Sequence, residues 1–175
     1  MDRRAILENL EQISSLSVCS VNRAANMLML GFGDLVQAQN FRGETLADPQ
    51  FSLHIDCPWR IVFCKSIVLA SWDVFEPSTK AGWTEDFEWD CPGANLFDEK
   101  SKTLIANDAL HVKGITADNF GGFCISFDNG YVLEVFPCCS ADEESWRLFE
   151  ANSEYGFVVN GKSFYSYSDI DGEDK

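Results

Sequence analysis

From Phe51 to Phe63 the chain keeps a period of two for thirteen residues without a slip. Phe51, Leu53, Ile55, Cys57, Trp59, Ile61 and Phe63 are apolar, and Ser52, His54, Asp56, Pro58, Arg60 and Val62 alternate with them. Successive side chains of an extended backbone point to opposite faces, so this pattern predicts one long half-buried strand over 51–63. Pro58 has no amide to donate to a ladder, which places its part of the strand at an edge or a bulge. A three-residue turn at Cys64, Lys65 and Ser66 would pair Phe63 with Ile67, Ile61 with Leu69 and Trp59 with Ser71, carrying the apolar face onto the return strand.

A strand of this kind needs partners, and the rest of the chain supplies them. With a two-residue turn at Asn129-Gly130, Glu134 would share a face with Phe123, Ile125 and Phe127. A three-residue turn over Asp128–Gly130 aligns those residues with Tyr131, Leu133 and Val135 instead, and it buries no carboxylate. The second register is therefore expected, with Gly130 left-handed and Glu134 opposite, beside Cys124 and Ser126. A strand at 109–117 should precede this hairpin. Segments 16–22 and 26–33 read as strands that form either a hairpin or one bent strand, and 38–50, with Gly43 and Pro49, reads as loop. Ile6, Leu7, Leu10 and Ile13 give a short amphipathic helix over 3–13. Residues 75–95 show neither periodicity and read as a long irregular loop, followed by a short helix at 95–105 with Leu96, Phe97 and Leu104 inward. Ser140 to Glu143 has capping-box spacing, which predicts a helix at 141–150 with Trp146 and Phe149 inward; a strand at 146–149 competes. A last hairpin, 155–159 with 162–167, should turn at Asn160-Gly161.

The fold class that follows is α+β: mainly antiparallel sheet, in hairpins that are partly rolled or barrel-like, with an N-terminal helix and one or two short helices. Residues 1–167 are expected to form a single globular domain and 168–175 a flexible acidic tail. The apolar share of 46%, with 14 Phe and 5 Trp in 175 residues, is enough for a core without metal or disulfide staples. Glu8 and Glu11 interrupt any leader-like apolar run, and no window offers the roughly 18 apolar residues of a membrane span, so a soluble, cytoplasmic protein is expected. Seven cysteines form an odd set without a Cys-x-x-Cys pair, which points to reduced, mostly buried thiols and no metal.

The net charge of −15 is uneven: residues 1–70 hold 6 Lys+Arg against 7 Asp+Glu, and residues 71–175 hold 7 against 21. Such a field repels nucleic acid and anionic membranes and favours a basic partner, although acidity also serves solubility. Trp72, Trp83 and Trp89 fall in or beside the long loop among Asp73, Glu85, Asp86, Glu88 and Asp90. Aromatic anchors ringed by charge are how interfaces concentrate binding energy, whereas tryptophans that cover an open sheet give the same sequence.

Catalytic signatures are few. His54, Asp56 and Arg60 would lie on one face of the long strand and, with Glu134, offer an alternative small-molecule site, but neighbouring polar residues on a solvated face give the same pattern. Only His54 and His111 are available to a triad or a metal centre. No Gly-x-Ser-x-Gly, phosphate loop or dinucleotide fingerprint occurs, and Asp169 to Gly172 is half a calcium loop without its later ligands. No cofactor and no enzyme activity are expected.

The stretch from Leu53 to Ile61, with Gly121-Gly122-Phe123, Leu133 to Phe136 and Glu144 to Phe149, resembles a group of small bacterial proteins that carry LHIxCPWRI-like and ExWRLF-like segments. Part of that look is similar to toxin-immunity proteins. The resemblance implies a bacterial cytosolic source and an α+β fold, and it carries over no catalytic residue. Two readings follow: a non-enzymatic binding module of immunity type that clamps a basic protein such as a toxin, or a small-molecule or enzymatic domain using His54, Asp56 and Arg60.

Overall fold

The computed structural model describes residues 2–39, 43–80, 82–107 and 109–166. The N-terminal apolar stripe forms helix α1 (Arg3–Leu10), continued by a 3-10 turn at Glu11–Ile13. Asp2 caps α1 by accepting the Arg4 amide at 2.9 Å, and Ile6, Leu10 and Ile13 are buried. Strands β1 (Val18–Ala24) and β2 (Met27–Gln39) form a hairpin with Ala25 at a left-handed φ of 52°, which decides between the hairpin and the bent strand.

Strand β3 (Thr45–Ile55) pairs along β2 from Gln39↔Thr45 to Leu28↔Ile55, so most of the loop expected over 38–50 is a continued hairpin; residues 40–42 lie outside the described residues. Composition misleads here because Pro49 is tolerated where β3 has a partner on one flank only. Its other neighbour, β9 (Glu144–Glu150), begins to pair at Phe51. Gly31, in register with Ser52, is required close to this proline, since a Cβ there would collide with the Pro49 ring and the Ser20 hydroxyl.

The long strand expected over 51–63 is two strands in two sheets. After Ile55 the amides of Asp56 and Cys57 both donate to the Ser145 carbonyl, at 2.9 and 3.1 Å, and the chain re-enters as β4 (Trp59–Phe63). Pro58 sits at this corner, where one amide is dispensable, and its carbonyl accepts the Phe136 amide at 2.8 Å. β4 pairs with β5 (Ser66–Ala70) through a two-residue turn at Cys64 and Lys65. Phe63 therefore faces Ser66, not Ile67. An irregularity at Val68 then restores the expected Ile61↔Leu69 pair, and Ser71 leaves the ladder for a 3-10 turn at Ser71–Phe75.

The second hairpin forms in the register that buries no carboxylate. β7 (Phe123–Phe127) and β8 (Tyr131–Val135) pair Ile125 with Leu133, Cys124 with Glu134 and Phe123 with Val135, with Gly130 at φ 92°. β6 (Val112–Ala117) pairs with β7. Segment 144–150 is strand β9, not the helix expected over 141–150. Its backbone groups are taken by β3 on one side and β10 (Gly156–Asn160) on the other, and this pairing overrides the local capping signal. β11 (Phe164–Ser166) closes the last hairpin across Asn160–Ser163, and the tail expected over 168–175 lies outside the described residues.

The six-stranded sheet has the order β1-β2-β3-β9-β10-β11 and the five-stranded sheet β5-β4-β8-β7-β6, both antiparallel. Neither closes, so the barrel-like reading gives way to two open sheets sharing one core. Leu28, Leu30, Phe32, Leu53, Ile55, Trp146 and Leu148 face it from one sheet, and Ile61, Leu69, Ile125, Leu133 and Val135 from the other. Helix α2 (Leu96–Asn107) buries Phe97 and Leu104 at the margin, with the Phe97 ring 6.0 Å from that of Trp59. The Trp59 indole N–H is buried without a partner among the described residues, a cost of about 1–3 kcal/mol that burial of the large ring offsets.

Candidate functional site

The irregular loop over 75–95 is held at both ends. Its start and finish bridge at Pro77↔Asn95, where the Ser78 amide meets the Ala94 carbonyl at 2.8 Å and the Leu96 amide meets that of Glu76 at 2.8 Å. Buried Asn95 caps α2 by accepting the Asp98 amide at 2.8 Å, while its own amide group donates to the Trp89 carbonyl at 2.7 Å. Arg23 on β1 reaches across to Asp98, with contacts of 2.8 and 3.1 Å, and to Asp90 at 2.9 Å. Burial alone would push the Asp98 carboxyl up; the Arg23 guanidinium and the Gly93 amide outweigh it and hold the group below its ordinary value.

This anchoring divides the sequence-predicted surface residues into two sets. Asp90 is engaged by Arg23, and Asp73 accepts the Ala70 amide at 3.2 Å and the Lys100 ammonium at 3.0 Å. Trp89 is half-buried against Phe75, with ring centroids 5.0 Å apart, and so belongs partly to the protein's own packing. Trp72 and Trp83, in contrast, are 72% and 70% exposed. Trp83 leans on Phe87 at 5.3 Å, and Glu85, Asp86 and Glu88 around it are exposed with no side-chain partner among the described residues.

Replacing Arg23 with Met keeps the bulk and strands the nearly buried Asp98. It should lower unfolding free energy by about 2–3 kcal/mol, since hydrogen-bonded charge pairs of this kind carry that much. The loss would be read as a shift in urea midpoint at constant m-value, with faster amide exchange over 88–93. A shift below about 0.5 kcal/mol, the level of an ordinary surface change, would mean that Arg23 does not hold the loop.

The corner at 56–58 separates the residues of the alternative small-molecule site. His54 lies on the outer face of the six-stranded sheet, 8% exposed, with Phe149 edge-on at 4.8 Å and the Arg147 guanidinium 3.2 Å from Nδ1. Burial, and secondarily Arg147, push its pKa down to about 4, so the ring is neutral at pH 7. Arg60 and Glu134 pair across β4 and β8 on the other sheet, with Phe136 5.2 Å from the guanidinium carbon. These residues do not share one strand face, as the unbroken alternation implies. Asp56, at the corner itself, instead lines a recess of about 270 Å³ with Asn26, Pro58, Ser71, Trp72 and Phe75.

None of the seven cysteines is buried, contrary to expectation: Cys57 and Cys124 are half-buried and the other five exposed, because they occupy outward strand positions, turns and the segment after β8. Burial still pushes the Cys57 thiol up to about 12, which leaves no thiolate for nucleophilic chemistry. Among the described residues no group of three His, Cys, Asp or Glu side chains is placed to hold a metal, and no helix is long and apolar enough to cross a membrane. Sequence reasoning missed Arg23, Asn26 and Phe75. The only signal for Arg23 was a lone cation on a strand in a chain rich in acids.

The fold and site therefore define a class by architecture, an α+β protein of two open antiparallel sheets with an acidic, tryptophan-bearing loop. No family model, curated protein or solved structure matches the chain.

Proposed function

We propose that the protein is a non-enzymatic binding module of immunity-protein type, which takes a basic protein partner through the loop over 75–95 and the neighbouring Trp72. The observation that carries this reading is the pair of indoles that the fold leaves outside its core, Trp72 and Trp83, near the carboxylates of Glu85, Asp86 and Glu88, which have no side-chain partner among the described residues. Large aromatic side chains on an anchored loop offer desolvated contact area at low ordering cost, and the net charge of −15 steers a cation toward them. Five exposed thiols suit a reducing compartment such as the cytoplasm. A small-molecule site on His54, Asp56, Arg60 and Glu134 has less support, because His54 and Asp56 line different recesses and Arg60 pairs with Glu134 on the other sheet.

The acids and the tryptophans have separable effects. The triple change Glu85→Gln, Asp86→Asn and Glu88→Gln should chiefly lower the on-rate and flatten its salt dependence. Trp83→Ala should chiefly raise the off-rate, by about 30-fold for a hot spot of about 2 kcal/mol. Stopped-flow binding to the basic partner recovered by crosslinking at position 83 reads both quantities. Rates unchanged in both variants would sink the reading.

A further inference from the structure

The corner between the two sheets brings together one residue from each of the two sequence-level site sets. Asp56 follows β3, Asn26 turns β1 into β2, and Trp72 stands on the 3-10 turn after β5; all three line the recess of about 270 Å³. We propose that this recess is a subsite for a single arginine side chain. It deepens the reading given above, and rests on it for the source of the arginine, the basic partner.

Size is the first argument. Pockets for drug-sized ligands run from about 300 to 1,000 Å³, and a recess of about 270 Å³ suits one side chain. Chemistry is the second. The exposed carboxylate of Asp56 has no side-chain partner among the described residues, and neither has the Asn26 amide, whose oxygen is a second acceptor. Both line the same recess as an indole that is 72% exposed and packs on Phe75 with ring centroids 5.5 Å apart. A recess that holds both a carboxylate and an indole favours a cation that is flat and rich in donors. Guanidinium stacks on indole and forks onto carboxylate, whereas ammonium can do neither in a fixed geometry.

Rigidity is the third argument. Asp73 ties the turn that carries Trp72 to the Ala70 amide and to Lys100, and the Asp56 backbone is fixed by the Ser145 carbonyl. The backbone segments that carry the two recognition groups are thus fixed before any ligand arrives, which lowers the ordering cost of binding.

The test is a titration of the 175-residue chain with L-argininamide, followed by NMR at the Trp72 indole N–H, with L-lysinamide and the neutral citrullinamide as controls. The expected result is saturable binding of argininamide with a Kd in the millimolar range, several-fold weaker binding of lysinamide and no saturable response to citrullinamide. Asp56→Asn should weaken argininamide about 3- to 10-fold and Trp72→Ala should remove the response at the other recess amides; the amide spectrum reports that both variants stay folded. The double change Glu11→Gln and Glu154→Gln, at exposed acids outside the loop, should leave the Kd unchanged within about twofold, since simple attraction to the acidic surface would be lost there. No saturable response, or one that Asp56→Asn leaves intact, overturns the subsite. The two readings also fail separately. Argininamide bound at Trp72 with no protein captured at position 83 upholds the subsite and removes the partner reading. Capture at position 83 without an argininamide response does the reverse.

Discussion

Trp146→Ala is expected to cost about 4 kcal/mol, a large part of the 5–15 kcal/mol that holds a typical domain. The Trp146 side chain on β9 is 0% exposed and joins the two sheets. Its ring meets Phe123 of the five-stranded sheet edge-on at 4.9 Å and lies 5.7 Å from Phe157 on β10. Its indole N–H donates to the Gly121 carbonyl at 2.7 Å. Truncation removes the ring, opens a cavity between the sheets and leaves that carbonyl without its donor; large-to-small aromatic changes in cores cost about 3–5 kcal/mol by themselves. Trp146→Phe keeps most of the ring packing and loses the hydrogen bond, so it should cost about 1–2 kcal/mol. Urea midpoints measure both. A Trp146→Ala variant within about 1 kcal/mol of the parent would show that the sheets are held together elsewhere.

Acid should weaken the fold through His54 before the carboxylates titrate. Arginine has only donors, so the contact of 3.2 Å from Arg147 requires an unprotonated Nδ1 on the histidine. Burial, with Arg147 beside it, holds the pKa at about 4, against an unfolded value near 6.5. Between those values the unfolded chain binds the proton and the folded chain does not. The contribution is present above pH 6.5, falls as the pH drops toward 4, and loses about 3 kcal/mol in all, at no more than roughly 1.4 kcal/mol per unit. Glu144, paired with Arg147 at 3.3 Å, and Asp48, which lines the same groove as His54, are the acidic groups nearest the ring and its arginine. His54→Gln, which cannot take up the proton, should flatten the slope of unfolding free energy against pH between 4 and 6.5. Equal slopes for the two proteins would mean that the imidazole is protonated in the fold or exposed. Asp98 acts with the same sign. Because its folded pKa is depressed, its contribution is present above the ordinary carboxylate range and is lost as pH falls through the folded value.

How far the sequence could be read depended on whether a residue's neighbours in the chain were also its neighbours in space. The hairpin over 123–135 was legible because two registers competed and one of them buried Glu134. The N-terminal helix was legible from its stripe. The corner at 56–58 was not, because Ile55 and Trp59 both face the common core, and the alternation runs through the change of sheet unbroken. Segment 144–150 carried a genuine local helix signal and became strand through partners at 51–55 and 156–160, about 90 residues before it and a few after. At the site, the exposed tryptophans beside acids could be read from their setting, while the division between clamped Asp73 and Asp90 and free Glu85, Asp86 and Glu88 depends on Lys100 and Arg23. The meeting of Asp56 with Trp72 depends on a hairpin that folds back and a sheet that ends between them, and neither residue signals it.

The strand order also sets a timetable for synthesis. The five-stranded sheet is drawn from one uninterrupted stretch, 59–135, whereas β3 in the other sheet finds its second neighbour only in β9 at 144–150. At roughly 5–20 residues per second, the ribosome takes about 4–18 s to advance from Ile55 to Glu144. Throughout that interval the β1–β2–β3 meander presents an open edge at Phe51–Ile55, the most apolar part of β3, with its amides and carbonyls unpaired. The younger sheet can close first, and the older one is left waiting for its centre.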